Sequence, residues 1–270
     1  MSQIAVVGAH GLIGSKIVRE LGDKTLSVSR NFTLLGSSKT VLWAAGTSNG
    51  RMSLSDAEKA FQEMYQSLNQ VEFKSLNRFI LISSGGAVYG SNCSGAVFET
   101  TSLKPISPYA SLKVKIENEV RERCQRYGTG LDILRLANVY SDSGHGLVSK
   151  ILKENVKCLS IRLFASLNSK KQYGSVDDYA RIIASFAKKE SARDQVRIFN
   201  LFPSHVYSIQ QIIELFSPYK RIELKNASDL SQIPEETVIL DTIHSEFENE
   251  SESWLTLETY LKNYYEGLNR

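Results

Sequence analysis

Short apolar runs alternate with amphipathic segments along the first half of the chain. Five runs share the Val-, Ile- and Leu-rich pattern of buried parallel strands: 3–8, 25–30, 40–46, 78–86 and 131–140. Three segments between them have helical periodicity: 12–21, 55–76 and 107–128. Strands and helices that alternate in this way predict an α/β fold, a doubly wound parallel sheet covered by helices on both faces.

The pattern loosens after residue 140. Helices are predicted near 146–155, 176–189, 208–217 and 253–268, with strands near 159–164 and 196–201. Residues 225–252 are acidic and carry no clear pattern. We expect a dinucleotide-binding domain over 1–140 and a smaller substrate-binding α/β lobe over 141–270. Because no linker separates them, the lobe is expected to interleave partly with the sheet.

Composition narrows the function classes. The 270 residues carry 32 Lys and Arg against 29 Asp and Glu, a net charge of +3 that argues against nucleic-acid binding through bulk charge. No run approaches the ~18 apolar residues of a membrane helix, and the N-terminal apolar stretch is too short and glycine-rich for a signal peptide. Three widely spaced cysteines and four scattered histidines predict no disulfide framework and no metal site. A reducing cytoplasm fits this pattern.

Three glycines follow the first apolar run with the spacing G-x-x-G-x-x-G, at Gly8, Gly11 and Gly14. They stand between a predicted strand and a predicted helix, the context in which glycines let the backbone approach a pyrophosphate. The helix start adds N–H groups and the positive end of the helix dipole. We therefore expect a dinucleotide at Gly8, Gly11, Leu12, Ile13 and Gly14, the alternative being a glycine-rich turn without a ligand.

The end of the second strand predicts which dinucleotide binds. An acidic residue there suits the ribose hydroxyl of NAD, whereas an arginine suits the 2′-phosphate of NADP. The sequence reads SVSRN, with no acid and with Arg30. This favours NADP, with NAD as the alternative and an ordinary surface arginine as the competing interpretation. The end of the third strand, at Ala44, Ala45 and Gly46, is also expected to border the coenzyme.

Five motifs carry a family resemblance: the glycine loop at 8–14, SSGGAVYG at 83–90, YASLK at 109–113, RLANVY at 135–140 and SVDDYA at 175–180. In this order they resemble the extended short-chain dehydrogenase/reductase family of nucleotide-sugar epimerases, dehydratases and reductases. The resemblance implies a Rossmann-type fold, a nicotinamide coenzyme and a nucleotide-sugar substrate. Members of the family are often dimers, so a homodimer is an expectation of the same kind.

The resemblance gives Tyr109 and Lys113 catalytic roles. The family's tyrosine exchanges a proton with the sugar oxygen, and its lysine binds the nicotinamide ribose. A spacing of four places both side chains on one helix face. An ordinary phenol has a pKa of ~10, and a nearby ammonium and an oxidised nicotinamide would both favour the phenolate. Taken alone, the pair could equally be a surface contact around a half-buried ring.

The hydroxyl that usually assists this tyrosine departs from the family pattern. Counting back from VYG, its usual positions are occupied by Gly85 and Ala87. We expect Ser84 to polarise the substrate carbonyl and to contact the substrate together with Gly85. Ser83 or Ser91 could replace it, and both strand-end serines could instead satisfy backbone groups only.

Two further substrate contacts follow from the resemblance. Asn138 in RLANVY corresponds to the family's asparagine near the substrate phosphates, and Lys171 stands where relatives carry a diphosphate-binding arginine. A solvated loop lysine is the competing interpretation of Lys171. Asp177 and Asp178 are expected to cap the next helix. About ten residues join the second and third strands, too few for the usual helix and strand, so the adenine side of the site is expected to be open.

These observations favour an NADP-dependent reductase of a nucleotide-linked keto-sugar, with a 4-keto-6-deoxyhexose as the expected substrate class and polysaccharide biosynthesis as the setting. Gly86 and Ala87 stand where dehydratases carry an acid–base pair, which disfavours dehydration. The alternatives are a 4-epimerase that retains NAD and a non-catalytic NADP-binding regulator or assembly factor. The altered serine motif supports the regulator, and the intact Tyr109 and Lys113 count against it.

Overall fold

The computed structural model describes residues 4–28, 38–46, 51–91, 95–154, 156–190, 192–225, 232–244 and 253–268. The first half of the chain forms these elements: β1 (Ile4–Val7), α1 (Leu12–Leu21), β2 (Thr25–Val28), β3 (Thr40–Trp43), α2 (Leu54–Leu68), β4 (Arg78–Ser84), α3 (Gly85–Val88), β5 (Ala96–Val97), α4 (Pro108–Tyr127), β6 (Gly130–Leu136) and β7 (Asn138–Tyr140). The second half adds the following: α5 (Leu147–Lys153), β8 (Cys158–Ile161), β9 (Lys170–Ser175), α6 (Val176–Lys188), β10 (Val196–Leu201), β11 (Val206–Ser208), α7 (Ile209–Phe216), β12 (Arg221–Leu224), β13 (Ile239–Leu240) and α8 (Leu257–Leu268).

Six strands form one parallel sheet in the order β10, β6, β4, β3, β1, β2. Parallel neighbours need crossover connections, and the helices that supply them lie on both faces. The predicted doubly wound α/β fold is therefore confirmed. Within the described residues β10 and β2 are the two edge strands of this sheet.

The two faces of the sheet bury separate hydrophobic cores. Helices α2 and α4 cover one face, where Phe79 and Leu81 of β4 pack with Leu112 and Val120 of α4. Helices α1 and α6 cover the other face, where Ile80 of β4 packs in the cluster that contains α6. Because side chains of a strand point alternately to opposite faces, β4 contributes in turn to each core.

The remaining strands lie outside the six-stranded sheet. Strands β7, β9 and β11 make a three-stranded sheet, with β7 parallel and β11 antiparallel to β9. A third hydrophobic cluster joins β8, α5, α7 and α8. Strand β8 pairs with β12, and β5 pairs with β13. The second half of the chain also returns to the main sheet, through α6 and β10.

Several predicted boundaries are wrong for physical reasons. The strand predicted over 131–140 is two strands, because β6 pairs with β4 and β10 whereas β7 leaves that sheet to pair with β9. The helix predicted over 55–76 ends at Leu68 and is followed by a 3₁₀ turn at Phe73–Ser75, whose buried Phe73 continued the apolar pattern. No helix among the described residues combines the length and apolar character needed to cross a bilayer.

Candidate active site

The glycine loop joins β1 to α1 and lies against the end of β3. Gly8 has a φ of +85°, a region that favours glycine, and a Cβ there would lie 2.6 Å from the backbone nitrogen of Ala45. The Gly8 amide donates to the carbonyl of Val28 and its carbonyl accepts from Gly11. The loop is thus fixed between the ends of β2 and β3.

Gly14 allows the loop and the first turn of α1 to touch. A Cβ at Gly14 would overlap the carbonyl oxygen of Gly8. Gly11 is the N-cap of α1, with no side chain over the helix end, so the first N–H groups of the helix, including those of Leu12 and Ile13, lack intrahelical partners. Such a cradle of bare backbone N–H groups fits an anionic pyrophosphate.

Three residues predicted to border the coenzyme extend from β3 beside this loop. Ala44 donates its amide to the carbonyl of Val7 at 2.9 Å, and Ala45 packs at the margin of the α2–α4 core. Gly46 follows with a φ of +138°. The structure therefore places Ala45 against the glycine loop. Arg30 lies outside the described residues.

Tyr109 and Lys113 lie on one face of the first turns of α4. Ser107 caps this helix by accepting a hydrogen bond from the Ala110 amide at 3.1 Å, and Pro108 occupies the first helical position. The Nζ of Lys113 lies 5.7 Å from the centre of the Tyr109 ring. In the described residues no carboxylate pairs with Lys113. Both side chains are half-buried, which leaves the ammonium available to a ligand.

The two strand-end serines lie on opposite faces of β4. Ser83 faces α4 and donates to Oε1 of Glu117 at 2.5 Å, so its hydroxyl is already engaged. Alternation along the strand directs Ser84 to the face of α1 and α6, away from Tyr109. Ser84 is half-buried and is the N-cap residue of α3, but its side chain makes no capping hydrogen bond. The structure therefore does not bring Ser84 to the tyrosine's side of the sheet, and its catalytic role stays a prediction.

Leu240 occupies the space beside Gly85. A Cβ at Gly85 would lie 2.5 Å from Cδ1 of Leu240 and 3.1 Å from the carbonyl oxygen of Arg135. The side-chain amide of Gln172 holds the Leu240 backbone at both groups, accepting from its N–H at 2.8 Å and donating to its carbonyl at 3.0 Å. The position where relatives carry a hydroxyl is therefore covered by a fixed apolar side chain.

Asn138 and Lys171 have different surroundings. Asn138 lies beside Gly86, whose Cβ would sit 3.7 Å from the asparagine Oδ1, and its Nδ2 donates to the Gln172 carbonyl at 3.0 Å. Asn138 thus borders α3, and its contact with the substrate stays a prediction. Lys171 is ion-paired with Glu236 at 3.3 Å and is only 20% exposed. A ligand phosphate would have to compete with this carboxylate.

The prediction that Asp177 and Asp178 cap α6 is wrong, because both lie inside the first turn of the helix. The N-cap is Ser175, whose hydroxyl accepts from the Asp178 amide at 3.1 Å. Asp177 in the first turn pairs with Lys16 and Arg19 of α1, at 3.0 and 2.7 Å. Burial raises the pKa of Asp177, but these two cations outweigh it and the pKa is lowered.

A buried polar network behind the site was not predicted. The Glu117 carboxylate of α4 accepts hydrogen bonds from the Ser83 hydroxyl and from the Arg135 guanidinium, whose Nη2 and Nε lie at 2.7 and 3.2 Å. Arg135 also donates to the Tyr89 hydroxyl at 2.9 Å, and that hydroxyl donates to Asn200 at 2.8 Å. Burial lowers the pKa of Arg135, but the Glu117 carboxylate outweighs it and the pKa is raised.

The sequence did hold a signal for this network. Arg135 and Asp132 are charged residues in a buried strand that is otherwise Leu, Ile and Gly, and Glu117 lies among the apolar positions of its helix. Charges at such positions require partners, because an unpaired buried charge is costly. No cluster of His, Cys, Asp or Glu with metal-ligand geometry occurs among the described residues.

Comparison with known families and proteins agrees with this geometry. The family model described as "NAD dependent epimerase/dehydratase family" matches residues 29–201, well over half of the chain. A protein of Methanocaldococcus jannaschii named "Putative UDP-glucose 4-epimerase" is 30% identical over 111 residues, which cover 39% of this chain and 36% of that protein. The match therefore spans about a third of the relative's length.

Two solved structures resemble the whole chain. The UDP-glucose 4-epimerase of Thermotoga maritima, solved with UDP-glucose, superposes with a TM-score of 0.77 at 21% identity, covering 99% of this chain and 100% of that one. The dTDP-glucose 4,6-dehydratase DesIV of Streptomyces venezuelae, solved with NAD bound, gives 0.74 at 18% identity, covering 98% and 97%. At these identities the likeness shows a shared fold.

Proposed function

The chain belongs to the NAD-dependent epimerase/dehydratase family, and from that premise we propose that it is an NADP-dependent reductase of a nucleotide-linked keto-sugar. The observation that carries the proposal is the Tyr109–Lys113 pair, half-buried on the helix that covers one face of the sheet whose glycine loop fits a pyrophosphate. A 4-keto-6-deoxyhexose is the substrate class that we expect.

The roles of the protein follow from these positions. The glycine loop binds the pyrophosphate through backbone N–H groups, and Lys113 holds the nicotinamide ribose. The coenzyme supplies the hydride that reduces the ketone carbon. Tyr109 would donate the proton that the ketone oxygen needs, so that this oxygen becomes the hydroxyl of the product. Asn138, beside Gly86, would contact the phosphate region of the substrate.

Reduction consumes one coenzyme molecule per turnover, so a reductase must exchange its coenzyme. The edge position of β2 among the described residues supports this, as does the short stretch of sequence before β3, which has too few residues for the helix and strand that relatives usually place there. Arg30, at the end of the second apolar run, favours NADP because an arginine there can bind its 2′-phosphate. Gly86 and Ala87 supply no acid–base pair for a dehydration.

A retained-NAD epimerase is the second candidate. The name of the Methanocaldococcus jannaschii relative and the likeness to a Thermotoga maritima epimerase favour it. In that reaction Tyr109 would first accept and then return the proton of the same sugar hydroxyl. The distinction between the candidates therefore depends on whether the coenzyme stays bound.

A coenzyme titration distinguishes these functions. The purified protein and an Arg30→Ala variant are titrated with NADPH and with NADH, and the fluorescence of the reduced nicotinamide is followed. Tight NADPH binding that weakens selectively in the variant supports the reductase, and the protein should then consume NADPH with nucleotide-linked keto-sugars. Copurified NAD, or preference for NADH without an effect of Arg30, supports the epimerase. Binding of neither coenzyme contradicts both and favours the non-catalytic regulator.

A further inference from the structure

Glu117 is a buried carboxylate on the helix face that carries Tyr109 and Lys113. The three residues follow one another at intervals of four along α4, so they lie in one row. Glu117 lies ~12 Å along the axis from Tyr109, at a rise of ~1.5 Å per residue. It is only 1% exposed, although a carboxylate at such depth is costly unless it is fully paired.

Its partners belong to two strands of the central sheet. The Glu117 carboxylate accepts from Ser83 of β4 at 2.5 Å and from two nitrogens of Arg135 of β6, at 2.7 and 3.2 Å. A guanidinium that binds a carboxylate through two nitrogens restricts both distance and direction. The contact therefore fixes the rotation of α4 and its height above the sheet.

Arg135, the main partner of Glu117, makes further hydrogen bonds of its own. Arg135 donates to the Tyr89 hydroxyl, which donates to Asn200 of β10. Asn200 in turn donates to the backbone carbonyls of Val97 and Asp241, at 3.1 and 2.8 Å. The network thus ties α4 to three adjacent strands and to the β5–β13 pair.

We propose that Glu117 is a positioning residue for the Tyr109–Lys113 pair, because its hydrogen bonds to Ser83 and Arg135 lock the helix that carries the pair. The inference rests on the proposed function, since it assumes that Lys113 meets a bound coenzyme. It assigns to Glu117 no contact with substrate or coenzyme.

A small movement of α4 would be enough to matter. Side-chain tips lie ~6 Å from a helix axis, so a rotation of about 10° moves them by about 1 Å. A misplacement of about 1 Å can cost about a hundredfold in rate. Loss of the Glu117 charge removes the salt bridge that opposes this rotation.

Two matched variants test the proposal. Glu117→Gln and Asp132→Asn each neutralise a buried carboxylate paired with a buried arginine, and Arg135 and Asp132 both belong to β6. Asp132, with Arg78, lies near the start of β6, whereas Arg135 lies near its end. Both variants are expected to lower the melting temperature. Dissociation constants for NADPH and NADH, and the induced circular dichroism of the bound reduced nicotinamide, are measured well below melting.

For Glu117→Gln we expect coenzyme affinity to fall about tenfold, because a misplaced Lys113 would lose its charge-assisted hydrogen bond to the coenzyme. The dichroism band of the bound nicotinamide should also change. Asp132→Asn should leave both readouts at the wild-type values. A Glu117→Gln protein that melts earlier but keeps wild-type affinity and dichroism would overturn the proposal, as would equal losses in the two variants.

Ser83→Ala covers the case in which Glu117→Gln does not fold. It removes one hydrogen bond and leaves the Glu117–Arg135 pair, so smaller changes in the same direction are expected in coenzyme affinity and in the dichroism band, and wild-type values would overturn the proposal. Lys113→Ala separates the two levels of the argument. If it does not weaken coenzyme binding, or if the wild type binds neither coenzyme, the proposed function fails and the inference with it. If Lys113→Ala weakens binding and Glu117→Gln does not, only the inference fails.

Discussion

Restoring a hydroxyl at Gly85 should be unfavourable unless Leu240 is removed. A Cβ at Gly85 would lie 2.5 Å from Leu240 Cδ1, whereas carbon atoms pack at ~3.5 Å or more, so the overlap is about 1 Å. Leu240 is 2% exposed and its backbone is held by Gln172, which limits how far it can move away. Overpacking of this kind costs about 2 kcal/mol of unfolding free energy in Gly85→Ser.

The matching substitution is Leu240→Ala, which empties the space and costs about 3 kcal/mol. If the two side chains compete for one space, the serine fills part of the cavity and the double variant costs about 3 kcal/mol. Simple addition predicts about 5 kcal/mol, so the expected coupling is about 2 kcal/mol. The quantity to compare is the free energy of unfolding from urea titrations followed by tryptophan fluorescence.

Gly86→Ser is the matched control. Its Cβ would lie 3.7 Å from the Asn138 side chain, an ordinary contact, so the change should stay within about 0.5 kcal/mol. Additivity of Gly85→Ser and Leu240→Ala within about 0.5 kcal/mol would refute the competition for space. A Gly86→Ser variant as unstable as Gly85→Ser would show that strain in α3, and not Leu240, is responsible.

Three further outcomes are expected. Asp132→Asn removes the negative charge beside the buried Arg78 and should lower the free energy of unfolding by about 3 kcal/mol; a loss below about 1 kcal/mol in urea titrations would contradict this. Gly14→Ala places a methyl group against a loop carbonyl and should abolish the coenzyme titration, so unchanged binding would refute the glycine-loop geometry. Maleimide should label the exposed Cys158 in the folded protein, whereas Cys124, whose pKa burial raises to about 12, should react only on unfolding; equal rates by peptide mapping would contradict its burial.

The sequence alone predicted two parts of the candidate site, the glycine loop and the Tyr109–Lys113 pair, because each depends only on residues close together in the chain. The glycine loop needs one strand, one turn and one helix start, all within residues 4–21. Tyr109 and Lys113 share a helix face because their spacing is four, and Ser107 and Pro108 mark where the helix begins. Each of these features is decided by neighbours within a few positions, so the sequence could predict it.

Contacts between distant segments could not be predicted in the same way. Leu240 covers Gly85 only because β13 pairs with β5 and Gln172 of β9 holds its backbone. The engagement of Ser83 depends on Glu117, 34 positions away. The expectation for Ser84 considered its hydroxyl but not the face of the strand on which it lies. A sheet register is needed before such faces can be assigned.

Strand β10 is translated long after β6, its partner in the sheet, and this has a consequence for the growing chain. Strand β6 ends at residue 136 and β10, which pairs with its outer edge, begins at residue 196. At ~5–20 residues per second, a ribosome needs roughly 3–12 s to make the residues between them. During that time β6 is an unpaired edge, the kind of surface on which nascent chains associate. Asp132 and Arg135 lie on this strand, and inward charges discourage such pairing, so the same side chains that later form buried ion pairs protect the nascent sheet.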